Sequence, residues 1–201
     1  MARKGISEAA IMEAALQVIR EEGPEGLRLR TLADRLHVKA PSLYNHYADL
    51  QEIWLAVAAQ VQGLLAEEIA TAVDGLTGDA ALAAFAKAQL RFSRREPRLY
   101  QVLLRLPSLG TDAADALGEQ SVAPLLQILD QYHLSQADRI HVERMIRSFL
   151  HGFFSLSQAG YLAHRQYTTD ESFAAALDYF LCLLHDLEKR GEGTGHAAYQ
   201  G

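Results

Sequence analysis

Cysteine is almost missing from this chain of 201 residues, with Cys182 the single one. One thiol cannot make an internal disulfide, so the fold must rest on its core, and this usage fits a reducing cytoplasm. Proline is scarce too, at five residues, and aromatics make up 8%. With long Ala- and Leu-rich stretches, that scarcity favours an all-α chain. The opening, MARKGISEAA, is briefly basic and then polar and acidic, so it lacks the apolar stretch of a secretory leader. No segment approaches the run of about eighteen uncharged apolar residues that reads as a membrane span, and no membrane partner is expected. Also absent are a Gly-rich phosphate loop, a nucleophile elbow and Cys/His zinc spacing. No catalytic residue, metal or cofactor is therefore assigned.

What is present is a hydrophobic content of 49%, enough for a real core, and one stretch of unusual density, LRLRTLADRLHVKAPSLYNHY from Leu27 to Tyr47. Leu29, Leu32, Ala33 and Leu36 recur at helical spacing on one face. His37 and Val38 make a turn, and Pro41 sits in the first turn of a second short helix, where its missing N–H costs little. Leu43 and Tyr47 would anchor that helix on the first. Its other face carries Lys39, Ser42, Tyr44, Asn45 and His46, all able to hydrogen bond and none needed for a core. A polar, aromatic-bearing second helix held by a first suggests a recognition helix offered to a DNA major groove.

The run Leu32-Ala33-x-x-Leu36-x-Val38, followed by Pro41-Ser42-Leu43-Tyr44-x-His46-Tyr47, resembles the DNA-binding segment of TetR/AcrR-type transcriptional regulators. The likeness extends to the preceding helix, roughly Ser7 to Glu22, and the turn from Gly23 to Gly26. Two positions depart from the pattern: His37 stands where a glycine often makes the turn, and Leu50 where a lysine often meets a phosphate. The resemblance implies an N-terminal three-helix helix-turn-helix domain over 1–48. A larger helical ligand-binding and dimerisation domain follows over 49–190, with about nine helices in all. It also implies DNA contacts from Arg30, Thr31, Lys39, Ala40, Pro41, Ser42, Tyr44, Asn45 and His46. Of these, Lys39 meets either a guanine edge or a phosphate, Ala40 offers only a methyl, and Ser42, Tyr44 and His46 hold the backbone.

A net charge of −6 is unusual for a DNA binder, but it is uneven. Residues 1–50 carry seven Lys/Arg against seven Asp/Glu, leaving twelve against eighteen in 51–201. A neutral headpiece must segregate its charges, with Arg3, Lys4, Arg28, Arg30 and Lys39 toward DNA and Glu21, Glu22 and Glu25 away. Arg3 and Lys4 are either a DNA-reaching arm or a frayed terminus.

Further along, Ser7 reads as an N-cap. A long helix runs from Asp49 through Trp54 to Ile69, and GLTGD (75–79) breaks it. Ala80 to Arg95 follows up to Pro97, then Leu99 to Leu106, and Ala113 to Tyr132 with Pro124 inside. Ser135 caps a segment to about His164, and a last helix starts at Thr169 or Asp170. Arg91, Arg94, Arg95 and Arg98 form a basic corner, either an anion patch or a helix end favoured by its dipole. The apolar stripes of the last two long helices suit a homodimer built through them, as in the resembled family. Two copies would read a palindromic operator in double-stranded DNA. Phe85, Gln89, Phe92, Tyr100, Phe149, Phe153, Phe154 and Gln158 are candidates for lining an apolar effector cavity, against the ordinary reading that Phe at helical spacing is core. Beyond Gly191 the tail has nothing to bury and reads as disordered.

The expected function is a cytoplasmic, sequence-specific transcriptional regulator, a repressor released from its operator by a small apolar effector. One alternative is a helical adaptor without DNA binding. Another, weaker, is a metal-bundle enzyme using the Asp130/His133 and Asp138/His141 pairs.

Overall fold

The computed structural model describes residues 6–164 and 166–193. The Arg3/Lys4 arm and residues 194–201 of the tail lie outside the described residues. Eight α-helices and three short 3₁₀ segments make up the described architecture, and no strand occurs among the described residues. The α-helices are α1 (Glu8–Glu22), α2 (Leu29–Arg35), α3 (Leu50–Val73) and α4 (Gly78–Arg95), then α5 (Pro97–Arg105), α6 (Asp112–Leu129), α7 (Gln136–Gln158) and α8 (Thr169–Gly193).

By its contacts the chain divides into two compact units. One comprises Met1–Glu68 with Phe92–Ser121, the other Ile69–Arg91 with Val122–Gly201. The first therefore holds the headpiece together with α5, which packs on α1 and on the 24–26 turn. Its core includes Ile11, Ala15, Val18, Ile19, Leu32, Leu43, Ile53, Val57 and Val61. By length and composition alone, α3 is apolar enough to cross a membrane, and here it buries Ile53, Val57, Ala58 and Val61.

Helix starts follow local chemistry. Ser7 accepts from the Ala10 amide at 3.2 Å, and Asp49 accepts from the Glu52 amide at 2.8 Å. Thr168 and Glu171 form a reciprocal capping box, with Thr168 N to Glu171 Oε2 at 2.7 Å and Glu171 N to Thr168 Oγ1 at 3.1 Å. Pro97, expected only to stop one helix, also opens the next at its first turn. Pro124 lies inside a continuous α6 rather than breaking it. The last helix runs through Gly193, so residues 191–193 of the expected disordered tail are helical.

Two helix ends share one geometry and differ in residue. At the end of α7, Gly160 is left-handed at φ 78°. The amide of Tyr161 returns to Leu156 O at 3.0 Å and that of Gly160 to Ser157 O at 3.1 Å, a Schellman closure. This stops α7 at Gln158, short of the expected His164. At the end of α2 the same closure runs from Val38 N to Ala33 O at 3.0 Å and from His37 N to Asp34 O at 3.2 Å. Its left-handed residue is His37, at φ 54° the one non-glycine with positive φ among the described residues. A side chain there costs on the order of 1 kcal/mol relative to glycine. His37→Gly should therefore raise the thermal midpoint by a few degrees, and Gly160→Ala should lower it by a similar amount, both read by circular dichroism melting. A lower midpoint in His37→Gly would contradict this account of the turn.

Candidate nucleic-acid interface

Behind α2 the chain does not form a second α-helix. Residues Ala40–Asn45 make a 3₁₀ turn instead, which corrects the expected recognition helix. Lys39 is extended at ψ 143°, and Pro41 opens the segment. The closing bonds are short-range, from Ser42 N to Lys39 O at 2.8 Å and from His46 N to Leu43 O at 3.0 Å. Six residues with a proline second, which lacks an N–H, make a short segment with little room for an i→i+4 ladder. At its end, Tyr47 N to Leu43 O, at 3.1 Å, has the α spacing.

Leu43 is the buried anchor of this segment, at 1% exposure. Tyr47 is half-buried, and burial, then Glu8 and Glu52, push its hydroxyl pKa upward. The residues expected to contact DNA lie on the other side of the packing. Lys39, Pro41 and Asn45 are exposed, while Thr31, Ala40, Ser42 and His46 are half-buried. Tyr44 is 52% exposed, so its ring is not packed away against α2. The Arg30 side chain is 93% exposed, with Asp34 loosely beside it at 3.8 Å. Lys39, Ser42, Tyr44, Asn45 and His46 thus form a polar strip with a phenol in it, on a segment anchored by Leu43.

Two acidic residues of the headpiece, Glu21 and Glu25, are engaged elsewhere. Arg35 pairs with Glu21 through two hydrogen bonds, one at 2.9 Å, and the hydrogen bond from Arg35 holds the Glu21 pKa below its ordinary value. Arg105 pairs with Glu25. Arg28 turns back onto Glu25 O at 3.2 Å, which takes it out of the group expected to face DNA. The positive charge offered near the 40–45 segment is therefore that of Arg30 and Lys39.

Sequence reading did not find the residues that position this surface. Arg20 meets Glu96 in a bidentate pair, both bonds 3.0 Å. Arg98 donates to the α1 carbonyls of Arg20, at 2.8 Å, and of Glu21. Such contacts satisfy the orphan carbonyls at the end of α1 and place a cation at the negative end of its dipole. The basic corner is thereby accounted for: Arg98 caps α1, Arg95 pairs with Glu68 at 2.7 Å, and Arg91 and Arg94 also have partners. A surplus of arginines was the visible signal, but the partners of Arg95 and Arg98 lie 27 and 78 residues away in sequence, beyond any local pattern. Trp54 is half-buried, with the Arg105 guanidinium 5.8 Å from its ring centre.

The effector candidates fall in both units. Phe92 and Tyr100 are buried in the first, and burial raises the Tyr100 hydroxyl pKa. In the second, Phe85 is buried and Gln89 half-buried, while Gln158 is exposed. Phe149, Phe153 and Phe154 pack with Phe173 and Phe180 of α8, at ring-centre distances from 5.0 Å for Phe149–Phe180 to 6.3 Å for Phe154–Phe173. On the same helix, Glu143 is only 6% exposed. Its Oε1 lies 3.1 Å from Arg147 Nε without the alignment of a hydrogen bond. Burial, aided by Arg147, lowers the His151 pKa to about 4, so that ring is neutral near neutral pH. Of the carboxylate–histidine pairs, Asp130 is held by Arg139 and Asp138 by Ser135, and no cluster able to hold a metal occurs among the described residues.

Comparison with known proteins accords with this geometry. Residues 11–57 match the profile of bacterial regulatory proteins of the tetR family, and residues 82–180 match a tetracyclin repressor-like C-terminal domain. An uncharacterized HTH-type transcriptional regulator of Bacillus subtilis, YobS, is 29% identical over 179 residues, covering 88% of this chain and 90% of that protein. The HTH-type transcriptional repressor DrrR1 of Streptomyces coeruleorubidus is 36% identical over 107 residues, covering 53% of this chain and 39% of that protein. A solved structure of a Rhodococcus protein of unknown function superposes with a TM-score of 0.75 at 21% identity, covering 90% and 98% of the two chains, a likeness of fold. Matched at both ends by profiles of one family, the chain belongs to the TetR family of helix-turn-helix transcriptional regulators.

Proposed function

We propose that this regulator is a repressor that binds a palindromic operator as a homodimer in the cytoplasm and is released by a small, largely apolar effector. In this reading residues 1–48 read DNA, while 49–190 sense the effector and dimerise. The observation that carries it is the strip on the 40–45 segment, with Tyr44, Asn45 and Lys39 exposed while Leu43 is buried. An exposed phenol and lysine held by one buried leucine contribute nothing to the core and have the chemistry to meet phosphates and base edges. The name of the Streptomyces repressor supports the direction of regulation, and the tetracyclin repressor-like profile supports an effector site in the C-terminal part.

Support for dimerisation comes from large apolar side chains that α7 and α8 leave uncovered: Ile140 at 38%, Met145 at 37%, Leu156 at 45% and Tyr179 at 74% exposure. The inner stripe of Phe149, Phe153, Phe154, Phe173 and Leu177 is spent on packing α7 against α8. The proposed dimer therefore uses the other faces of both helices.

On fragments of its own promoter region, the wild type should give a discrete shifted band. Tyr44→Ala should weaken it by about tenfold. Lys39→Ala should weaken binding and flatten the salt dependence by about one phosphate's worth. If no promoter fragment is preferred over random DNA, the operator reading fails. Leu156→Glu and Tyr179→Glu together should convert a dimer to a monomer in sedimentation equilibrium. A wild type that is already monomeric would remove the two-fold site.

A further inference from the structure

In the second unit, one histidine joins three elements. His185 of α8 places Nε2 2.9 Å from Asp79 Oδ2, in the first turn of α4, and Nδ1 3.1 Å from Glu188 Oε2 on its own helix. Asp79 also accepts from the Tyr132 hydroxyl at 2.8 Å, just past the end of α6. Glu188 also accepts from the His133 amide at 3.0 Å, in the turn before α7. The Tyr132 and His185 rings lie 6.2 Å apart. Gly78 N adds a bond to Gln131 Oε1 at 2.7 Å between the α4 start and the same turn.

Both ring nitrogens of His185 thus face carboxylate oxygens. A neutral imidazole carries one N–H and can satisfy only one of them; the other contact then sets a lone pair against a lone pair. The imidazolium donates to both. We propose that His185 is a proton-operated latch that fastens the first turn of α4 and the α6–α7 turn to α8. Closed, it carries the proton and two charge-assisted hydrogen bonds. Open, it gives up one carboxylate, which then keeps only its partner at the α6–α7 turn, Tyr132 for Asp79 or the His133 amide for Glu188.

The surroundings favour the closed form. Asp79 faces His185 from α4, and Tyr132 lies beside it at the α6 end. From α8 itself come Glu188, Asp186 and Lys189, the last two 4.0 Å apart. Carboxylates outnumber the one lysine. Hydrogen bonds from His185 to Asp79 and then Glu188 raise the His185 pKa above its ordinary value. For Asp79, burial opposes ionisation, but the hydrogen bonds from His185 and Tyr132 outweigh it and lower its pKa. A histidine with a raised folded-state pKa stabilises the fold fully below its unfolded value, near pH 6.5. That contribution is lost as pH rises through the raised value. The latch is thus closed below the ordinary histidine range and opens as pH rises through the raised His185 value.

The test is a side-chain NMR titration of assigned histidines in the intact wild type and in Asp79→Asn, with melting curves for the wild type and His185→Gln across the same pH range. His185 should titrate above the ordinary histidine range, and Asp79→Asn should move it down. The difference in melting temperature between wild type and His185→Gln should shrink as pH rises through that titration. Using the difference cancels the opposite contribution of His151. If His185→Gln does not fold, the wild-type and Asp79→Asn titrations decide alone. If Asp79→Asn does not fold, Glu188→Gln replaces it, with a downward shift again expected. His185 titrating at or below the ordinary value, or unmoved by loss of its carboxylate partner, would overturn the latch. Neither result depends on DNA binding.

Discussion

The grip of α5 on the end of α1 is the contact on which the surface proposed to meet DNA depends. Arg98 closes the carbonyl end of α1, Glu96 takes the Arg20 guanidinium, and Arg105 holds Glu25 in the turn that follows. Ile11, Ala15, Val18 and Ile19 of α1 then supply the buried face of the headpiece, and Leu32 and Leu43 seat α2 and the 40–45 segment in the same core. Single exposed ion pairs contribute little. Here, though, a guanidinium bonds backbone carbonyls that would otherwise lack partners, and hydrogen bonds to charged groups are worth about 1.5–3 kcal/mol each.

Charge follows from the same arrangement. The headpiece is neutral in sum, yet Glu21 and Glu25 are spent on arginines, leaving Lys39 and Tyr44 exposed and Arg30 exposed with Asp34 loosely beside it. A surface can attract phosphates without net positive charge when its acids are paired elsewhere. The turn from α2 into the 40–45 segment adds a constraint of its own, because His37 holds a left-handed conformation there.

Much of this was legible in the sequence. The all-α fold, the helix-turn-helix region and the cap at Ser7 depend on neighbours a few residues apart, and local spacing reports them directly. The end of α7 expected at about His164 is too late, although Gly160 is the residue type its closure requires. The 3₁₀ form of the recognition segment was hidden because Pro41 is compatible with the first turn of either helix type, and the choice lies in hydrogen bonds rather than in composition. The partners of Arg98, Glu96 and His185 were out of reach for a simpler reason. Arg98 with the end of α1, Glu96 with Arg20 and His185 with Asp79 are brought together by tertiary packing across 76 to 106 positions, and no periodicity carries that information. The phenylalanine-rich stretch of α7 had two readings, cavity lining and core. The ring contacts to Phe173 and Phe180 explain its density as helix-to-helix packing, whatever else it serves.

The most direct test of the central claim is amide hydrogen exchange of the free protein, wild type beside Arg98→Ala, followed by peptide across residues 10–47. If α5 holds the headpiece through the end of α1, the variant should exchange faster in the last turn of α1 and on through α2 and the 40–45 segment, while α7 and α8 keep their wild-type protection. Unchanged exchange throughout 10–47 would mean that the headpiece core holds itself, and that the grip of Arg98 is incidental to the surface that meets DNA.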